Sequence, residues 1–459
     1  MPQRYRSFMP STWVRTAIVC AAAACVFPML GGCGSGGATG GAQSSGPLPS
    51  LPPAKDGKYF KHVVILVQEN RTLDNLFATF PGADGTTTGK THTGATIPLV
   101  KAPLASRLAP YSAHTPYWLT DYNDGRMNGF DLVQVAGGPG TYVYRYVDPA
   151  QIQPYWTLAK RYVLADHMFQ TQGTGSFTAH QDLIAGGTPV DPTHELIDFP
   201  TQRPWGCDAP GGTTTHLITQ DNAYSRGPFP CLNYRTLRDT LDAKGLSWRY
   251  YAPQVGGQYD GNYWVAFEAI SAVRNGSQWG TNVVWPETKV FQDIAGDSLP
   301  AVSWVIPDFQ NSDHPGSNSD TGPSWVAQIV NAIGKSPAWD STAIVIVWDD
   351  WGGWYDHVPP PKPITYGGLG FRVPMIVVSP FAKKGYVTHQ RYEFGSIVKL
   401  VEDNWSLPRL GTTDVRAASF IDDVFDFNQP PRPFARVDAR YSRAYFDRQK
   451  PSNKPVDTQ

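Results

Sequence analysis

Two short stretches of the chain are apolar at almost every position: Val63 to Val67, entered through His62, and Ala343 to Trp348. A strand with one wet face alternates apolar and polar residues, so an unbroken β-branched run predicts a strand buried on both faces, as in a parallel sheet. Val302–Ile306 and Met375–Val378 repeat the pattern more briefly. Between these runs, apolar residues recur at helical spacing from Ser324 to Ile333, ahead of Gly334, and from Phe394 to Trp405. Buried strands alternating with helices predict an α/β fold, a three-layer sandwich around a largely parallel central sheet. Residues 200–300 are rich in Gly, Pro and aromatics with weaker periodicity, and are expected to be insertions over the sheet's edge, not an independent domain.

The N-terminus has a different pattern. Arg4, Arg6 and Arg15 precede an apolar stretch from about Thr16 to Leu30, too short to span a bilayer comfortably, and residues 1–32 read as an export signal. Leu30-Gly31-Gly32-Cys33 is similar to a bacterial lipobox, which predicts lipidation of Cys33 and a cell-envelope lipoprotein, periplasmic or surface-facing. A plain secretory signal with a chance cysteine is the alternative. One acyl chain would hold the protein near a membrane without crossing it. Residues 33–54, Gly, Ser, Ala and Pro with little to bury, form the expected tether, and 55–459 the folded domain.

Composition narrows the function classes. With 459 residues, 41% of them hydrophobic, the chain can build a large core. Its formal net charge of −1 lacks the positive excess that phosphate-backbone binding requires, so nucleic acid is excluded as the main partner. Of five cysteines, Cys207 and Cys231 alone lie beyond the leader and its boundary. In an oxidising compartment they are expected to pair.

Both strongest strands run into acidic and amide side chains: Gln68-Glu69-Asn70-Arg71 after the first, and Asp349-Asp350-Trp351-Gly352-Gly353 after the second. Ligands of open α/β sheets bind beyond the carboxyl ends of strands. Glu69, Asn70, Asp349 and Asp350 are a suitable oxygen set for one divalent cation, with Mg, Ca, Mn and Zn all open. In Gln172-Gly173-Thr174-Gly175-Ser176-Phe177-Thr178-Ala179-His180, glycines flank a serine whose hydroxyl a metal can activate. His114, His180, His314 and His357 are candidate proton donors or phosphate contacts. Arg71 would either clamp a phosphate or pair with Asp74.

The residues from His62 through Asp74 resemble the opening motif of the bacterial phosphoesterase family that contains non-specific phospholipases C and a type of acid phosphatase. Gly125 to Phe130, Ser176 to His180, Ser312 to Pro315 and Trp348 to His357 match further motifs in family order. The resemblance implies an alkaline-phosphatase-like sandwich, a metal held by Glu69, Asn70, Asp349 and Asp350, and a phosphoserine formed on Ser176. It also implies active-site roles for His114 and His314. Serine stands at the nucleophile position in the acid phosphatase and threonine in the phospholipases C, which favours a phosphatase-like enzyme. The chain departs from the family at Ala179, where Asn is frequent, and at Thr178, where Pro is common.

Two rivals follow. A phospholipase C would cleave the phosphodiester of a phospholipid, with aromatics around Trp248–Tyr251 and Tyr259–Trp264 forming a choline cage. A non-catalytic surface lipoprotein on the same fold would show no phosphate-ester hydrolysis under any metal. A sulfatase is disfavoured by the lack of a Cys or Ser in the setting modified to formylglycine.

Overall fold

Eight strands form the central sheet, and their order explains why two distant apolar runs end side by side. In chain order they are β1 (His62–Gln68), β2 (Val163–Ala165), β3 (Trp248–Tyr251), β4 (Val283–Val284), β5 (Val302–Val305), β6 (Thr342–Trp348), β7 (Met375–Val378) and β8 (Tyr386–Thr388). Across the sheet they run β4-β3-β5-β1-β6-β7-β2-β8. All are parallel except β7, which is antiparallel to both neighbours. Every residue of β1 and β6 is buried, as expected for strands covered on both faces. The computed structural model describes residues 46–110, 115–133, 138–255, 264–361 and 368–452. They fall within one compact unit, Gly40–Gln459. Cys33 and the expected leader lie outside them.

Helices cover both faces of the sheet. α1 (Leu73–Phe77) follows β1, α2 (Thr115–Tyr122) and α3 (Gln153–Arg161) precede β2, and α4 (Ser176–Ala185) follows it; α5 (Gly322–Gly334) precedes β6 and α6 (Phe394–Trp405) follows β8. On one face Tyr155 of α3 meets the Trp348 ring edge-on, with centroids 4.9 Å apart. On the other, Trp304 of β5 donates to Leu183 O of α4 at 3.4 Å. Ile65 pairs with both Trp304 and Val345, three residues from Trp348, so the alternation of side chains along a strand places the two tryptophans on opposite faces. α5 opens on Pro323, a residue suited to the first helical turn. α6 opens on a capping box between Glu393 and Ser396.

The 200–300 region differs from expectation. It supplies β3 and β4, two strands of the central sheet, besides part of a small antiparallel sheet outside it. Arg249 sits inside β3 fully buried, bonded to Asp293 Oδ2 at 2.5 Å and to Pro49 O at 2.6 Å, and it breaks the apolar run that would mark the strand. The contact with Pro49, and the packing of Leu48 on the core, show that the last part of the expected tether lies against the domain. Cys207 and Cys231 form a disulfide. Among the described residues no helix is long and apolar enough to cross a membrane.

Candidate functional site

Because β1 and β6 are parallel neighbours with Gln68 opposite Trp348, the residues that follow them leave the sheet at the same end. Glu69 and Asn70 therefore meet Asp349 and Asp350. Asn70 adopts a left-handed backbone, φ 59°, which Asn tolerates better than most residues. Its N–H donates to Asp349 Oδ1 at 2.9 Å, and its Nδ2 to the two Asp350 carboxylate oxygens at 2.9 and 3.1 Å. The Asp350 carboxylate also accepts the Gly352 N–H at 2.7 Å. Gly352 has φ +62°, and a Cβ there would lie 2.2 Å from Asn70 O, so only glycine lets the second loop close on the first.

Ser176 is the first residue of α4, after Gly175. Its hydroxyl donates to Glu69 Oε2 at 3.3 Å and to Asp350 Oδ2 at 3.1 Å. One turn along the same helix face, His180 Nε2 lies 2.9 Å from Glu69 Oε1 and 3.6 Å from Asp349 Oδ2. Upstream, a Cβ on Gly173 would sit 2.3 Å from the Trp118 ring, so the loop that delivers Ser176 rests directly on that indole. Trp118 and Tyr122 also wall a cavity of about 470 Å³ with Asp124, Pro360 and Leu369.

Glu69, Asp349 and Asp350 are all 0% exposed. Burial, then the neighbouring Glu69 charge, pushes the Asp349 carboxyl well above the usual range, against the opposing pull of His180. Asp349 Oδ2 and Asn70 Oδ1 are buried and accept no hydrogen bond from any described residue. Two acceptors without donors beside clustered carboxylates are what a divalent cation completes, so these residues fit a metal centre. Glu69, His180 and Asp349 each offer a ligand atom within 4.8 Å of the others.

A second wall comes from the turn after β5. The Glu69 N–H donates to Ser312 O at 2.8 Å, and Arg71 Nε and Nη2 grip Asp313 O at 2.8 and 2.6 Å. Arg71 also bonds Asn75 and Leu104 O, so it neither clamps a phosphate nor pairs with Asp74; it holds the turn that carries His314. His314 Nδ1 lies 2.5 Å from Pro315 O, which places the ring proton on Nδ1 and leaves Nε2 as the basic nitrogen. Trp264 joins the two histidines. Its ring lies 3° from parallel to His180 at 6.4 Å and 30° from His314 at 5.9 Å. Asp313 behind the turn accepts from Tyr155 Oη at 2.7 Å and Trp348 Nε1 at 3.3 Å; burial, moderated by Arg71, raises its carboxyl to about 6.

Not every candidate from the sequence converges here. His357 bonds Asp74 at 2.7 Å and approaches Asp84 at 3.4 Å, in a network with Asp356 and the fully buried Arg372. Burial alone would lower its pKa, but Asp74 and Asp356 hold it above the ordinary histidine value. That second carboxylate cluster already contains its cation, the Arg372 guanidinium, 2.9 Å from Asp356 Oδ1 and 3.5 Å from Asp74 Oδ1. His114 lies outside the described residues. Trp248, Tyr250 and Tyr251 are buried in β3, so they line no choline cage. Residues 256–263, including Tyr259, lie outside the described residues. The role of Trp264 as a shared ring between two histidines carries no signature in the sequence.

Residues 60–408 match the Phosphoesterase family. Phospholipase C B of Mycobacterium tuberculosis is 24% identical over 444 residues, covering 81% of this chain and 79% of its own. Non-hemolytic phospholipase C of Pseudomonas aeruginosa is 26% identical over 425 residues, covering 81% of this chain, which spans only 58% of that longer protein. Among solved structures, a protein of the alkaline phosphatase superfamily from Vibrio parahaemolyticus matches with 10% identity, 81% coverage of this chain, 73% of that chain and a TM-score of 0.38.

Proposed function

The chain belongs to the phosphoesterase family and is a hydrolase acting on phosphate esters; from that premise we propose that it works by covalent catalysis through Ser176, with a divalent cation held by Glu69, Asn70, Asp349 and Asp350. The observation that carries this reading is the Ser176 hydroxyl, bonded at once to Glu69 and Asp350 at the start of a buried helix. When bound, the cation supplies positive charge to the phosphoryl oxygens and favours the ionised serine.

The chain's own groups do the rest. Glu69 and Asp350 hydrogen-bond the hydroxyl and aim Oγ, and on attack its single proton passes to one of these two carboxylates. A phosphoryl group on Ser176 would sit at the N-terminus of α4, where backbone N–H groups and the helix dipole stabilise an anion. His314, with its proton fixed on Nδ1, presents Nε2 as the group that takes up a proton and passes it to the departing alcohol or takes one from the attacking water. Arg71 keeps the His314 turn in place.

For the substrate, the serine favours a phosphomonoester, whereas the relatives named phospholipase C favour a phospholipid diester. We take the diester as the first substrate to test, on the names of these relatives. The test compares a chromogenic phosphomonoester with a phosphocholine diester, after chelation and after metal is restored, in the wild type and in Ser176→Ala. Metal-dependent turnover of the diester, an acid-stable phosphate on the Ser176 peptide after quenching, and no turnover by the variant are expected. Residual turnover near the wild-type rate in Ser176→Ala would refute the covalent route, and preference for the monoester would return the enzyme to the phosphatase reading.

A further inference from the structure

We propose that His180 Nε2 is itself a ligand of the cation, which turns an all-oxygen site into a mixed nitrogen and oxygen site and selects Zn²⁺ over Mg²⁺ or Ca²⁺. The inference rests on the metal-centre reading above and names the class of ion. His180 follows Ser176 by four residues, so α4 presents both side chains from one face toward the carboxylates. Donor atoms that share one ion at about 2.0–2.2 Å are roughly 3–3.5 Å apart in octahedral or tetrahedral geometry. The Nε2 separations from Glu69 Oε1, 2.9 Å, and Asp349 Oδ2, 3.6 Å, bracket that range. All three side chains are at most 1% exposed.

Two further observations point to an ion at this spot and not merely to a histidine paired with acids. Asp349 Oδ2, the oxygen that faces His180, accepts no hydrogen bond from any described residue. Asn70 Oδ1 is likewise buried and undonated, while its Nδ2 is spent on Asp350. The Trp264 ring lies almost parallel to the imidazole, with centroids 6.4 Å apart, and the His180 side chain is buried on the ligand-set side of α4. Imidazole suits Zn²⁺, whereas Mg²⁺ and Ca²⁺ take oxygen donors. Ala179 is packed in the core, and its neighbour His180 belongs to the ligand set.

The experiment uses the full-length protein stripped by chelation and reloaded. With Mn²⁺ as a paramagnetic probe, electron spin-echo modulation is expected to show a directly bound ¹⁴N that is replaced by ¹⁵N on histidine-selective labelling and vanishes in His180→Gln. By competition calorimetry, Zn²⁺ affinity is expected to fall about tenfold or more in His180→Gln, with Mg²⁺ affinity changing far less. Mn²⁺ bound to the wild type without histidine nitrogen coupling would overturn the proposal without disturbing the metal centre, and this measurement does not depend on the variant folding. An unchanged ratio of Zn²⁺ to Mg²⁺ affinity in a folded His180→Gln would overturn it equally. A wild-type protein that binds neither Mn²⁺ nor Zn²⁺ would remove the metal-centre reading as well.

Discussion

Replacing Asp349 with asparagine should abolish activity yet stabilise the metal-free protein. Glu69 and Asp349 place carboxylate oxygens within 4.8 Å of each other in a fully buried site. At an effective dielectric of about 20, two unit charges at that distance repel by roughly 3 kcal/mol. Part of this is relieved because burial and the Glu69 charge raise the Asp349 carboxyl and His180 is adjacent, which leaves an expected gain of about 1–2 kcal/mol for the isosteric amide. At roughly 2 cal/mol/K per residue of unfolding entropy, that is an upward shift of about 1–3 °C in Tm for a domain of this size. The sign of the pH dependence follows from the raised Asp349 carboxyl. The folded metal-free protein retains a proton there that the unfolded chain releases, so this contribution to stability is present below the ordinary carboxylate range and is lost as pH rises through the raised value. The advantage of Asp349→Asn should therefore be small near pH 4–5 and larger at pH 8. Calorimetric melts of both proteins in chelator across that range measure it, and activity with restored metal is read in parallel. A variant that melts lower than the wild type at pH 8, or an advantage that does not grow with pH, would refute the view that these carboxylates are held together against their own repulsion.

Arg372→Met should do the opposite and destabilise by about 3–5 kcal/mol, since it leaves the buried Asp356 and Asp74 without their cation; denaturant titration would show it. His357→Gln should flatten the stability profile above pH 6. Because its folded pKa is raised, its contribution is complete below the ordinary histidine value and lost as pH climbs through the folded one, which paired melts at several pH values would detect. Gly352→Ala, with a Cβ 2.2 Å from Asn70 O at φ +62°, should lower metal affinity and turnover together while circular dichroism stays unchanged.

The sequence displays the middle of the sheet plainly and its edge poorly. β1 and β6 are legible because burial on both faces demands an unbroken apolar run. β3 is not, because Arg249 interrupts it, and nothing local reveals that Asp293 and Pro49 neutralise and cap that guanidinium. Likewise the four residues after β1 and β6 are legible as a group because parallel neighbours must end together. The place of His180 against Glu69 needs the seating of α4 over the sheet, although its spacing of four from Ser176 is a usable signal. Arg71 and His357 have the right chemistry for a phosphate site and are employed elsewhere, holding Asp313 O and Asp74. Residue type states what a side chain can do; its partners, often hundreds of residues away, decide what it does.

Those distances along the chain also govern when the enzyme comes alive. The contact between Ser176 and Glu69 closes a separation of 107 residues, that between Ser176 and Asp350 one of 174, and that between Asn70 and Asp349 one of 279. Non-local contacts of this kind form late, after the loop-closure entropy has been met by the growing sheet. A nascent or truncated chain that lacks β6 also lacks Asp349 and Asp350, half of the four proposed oxygen ligands. The proposed centre is thus completed only once the sixth of the eight sheet strands has been made, because Asp349 and Asp350 follow that strand and Asp350 bonds the serine.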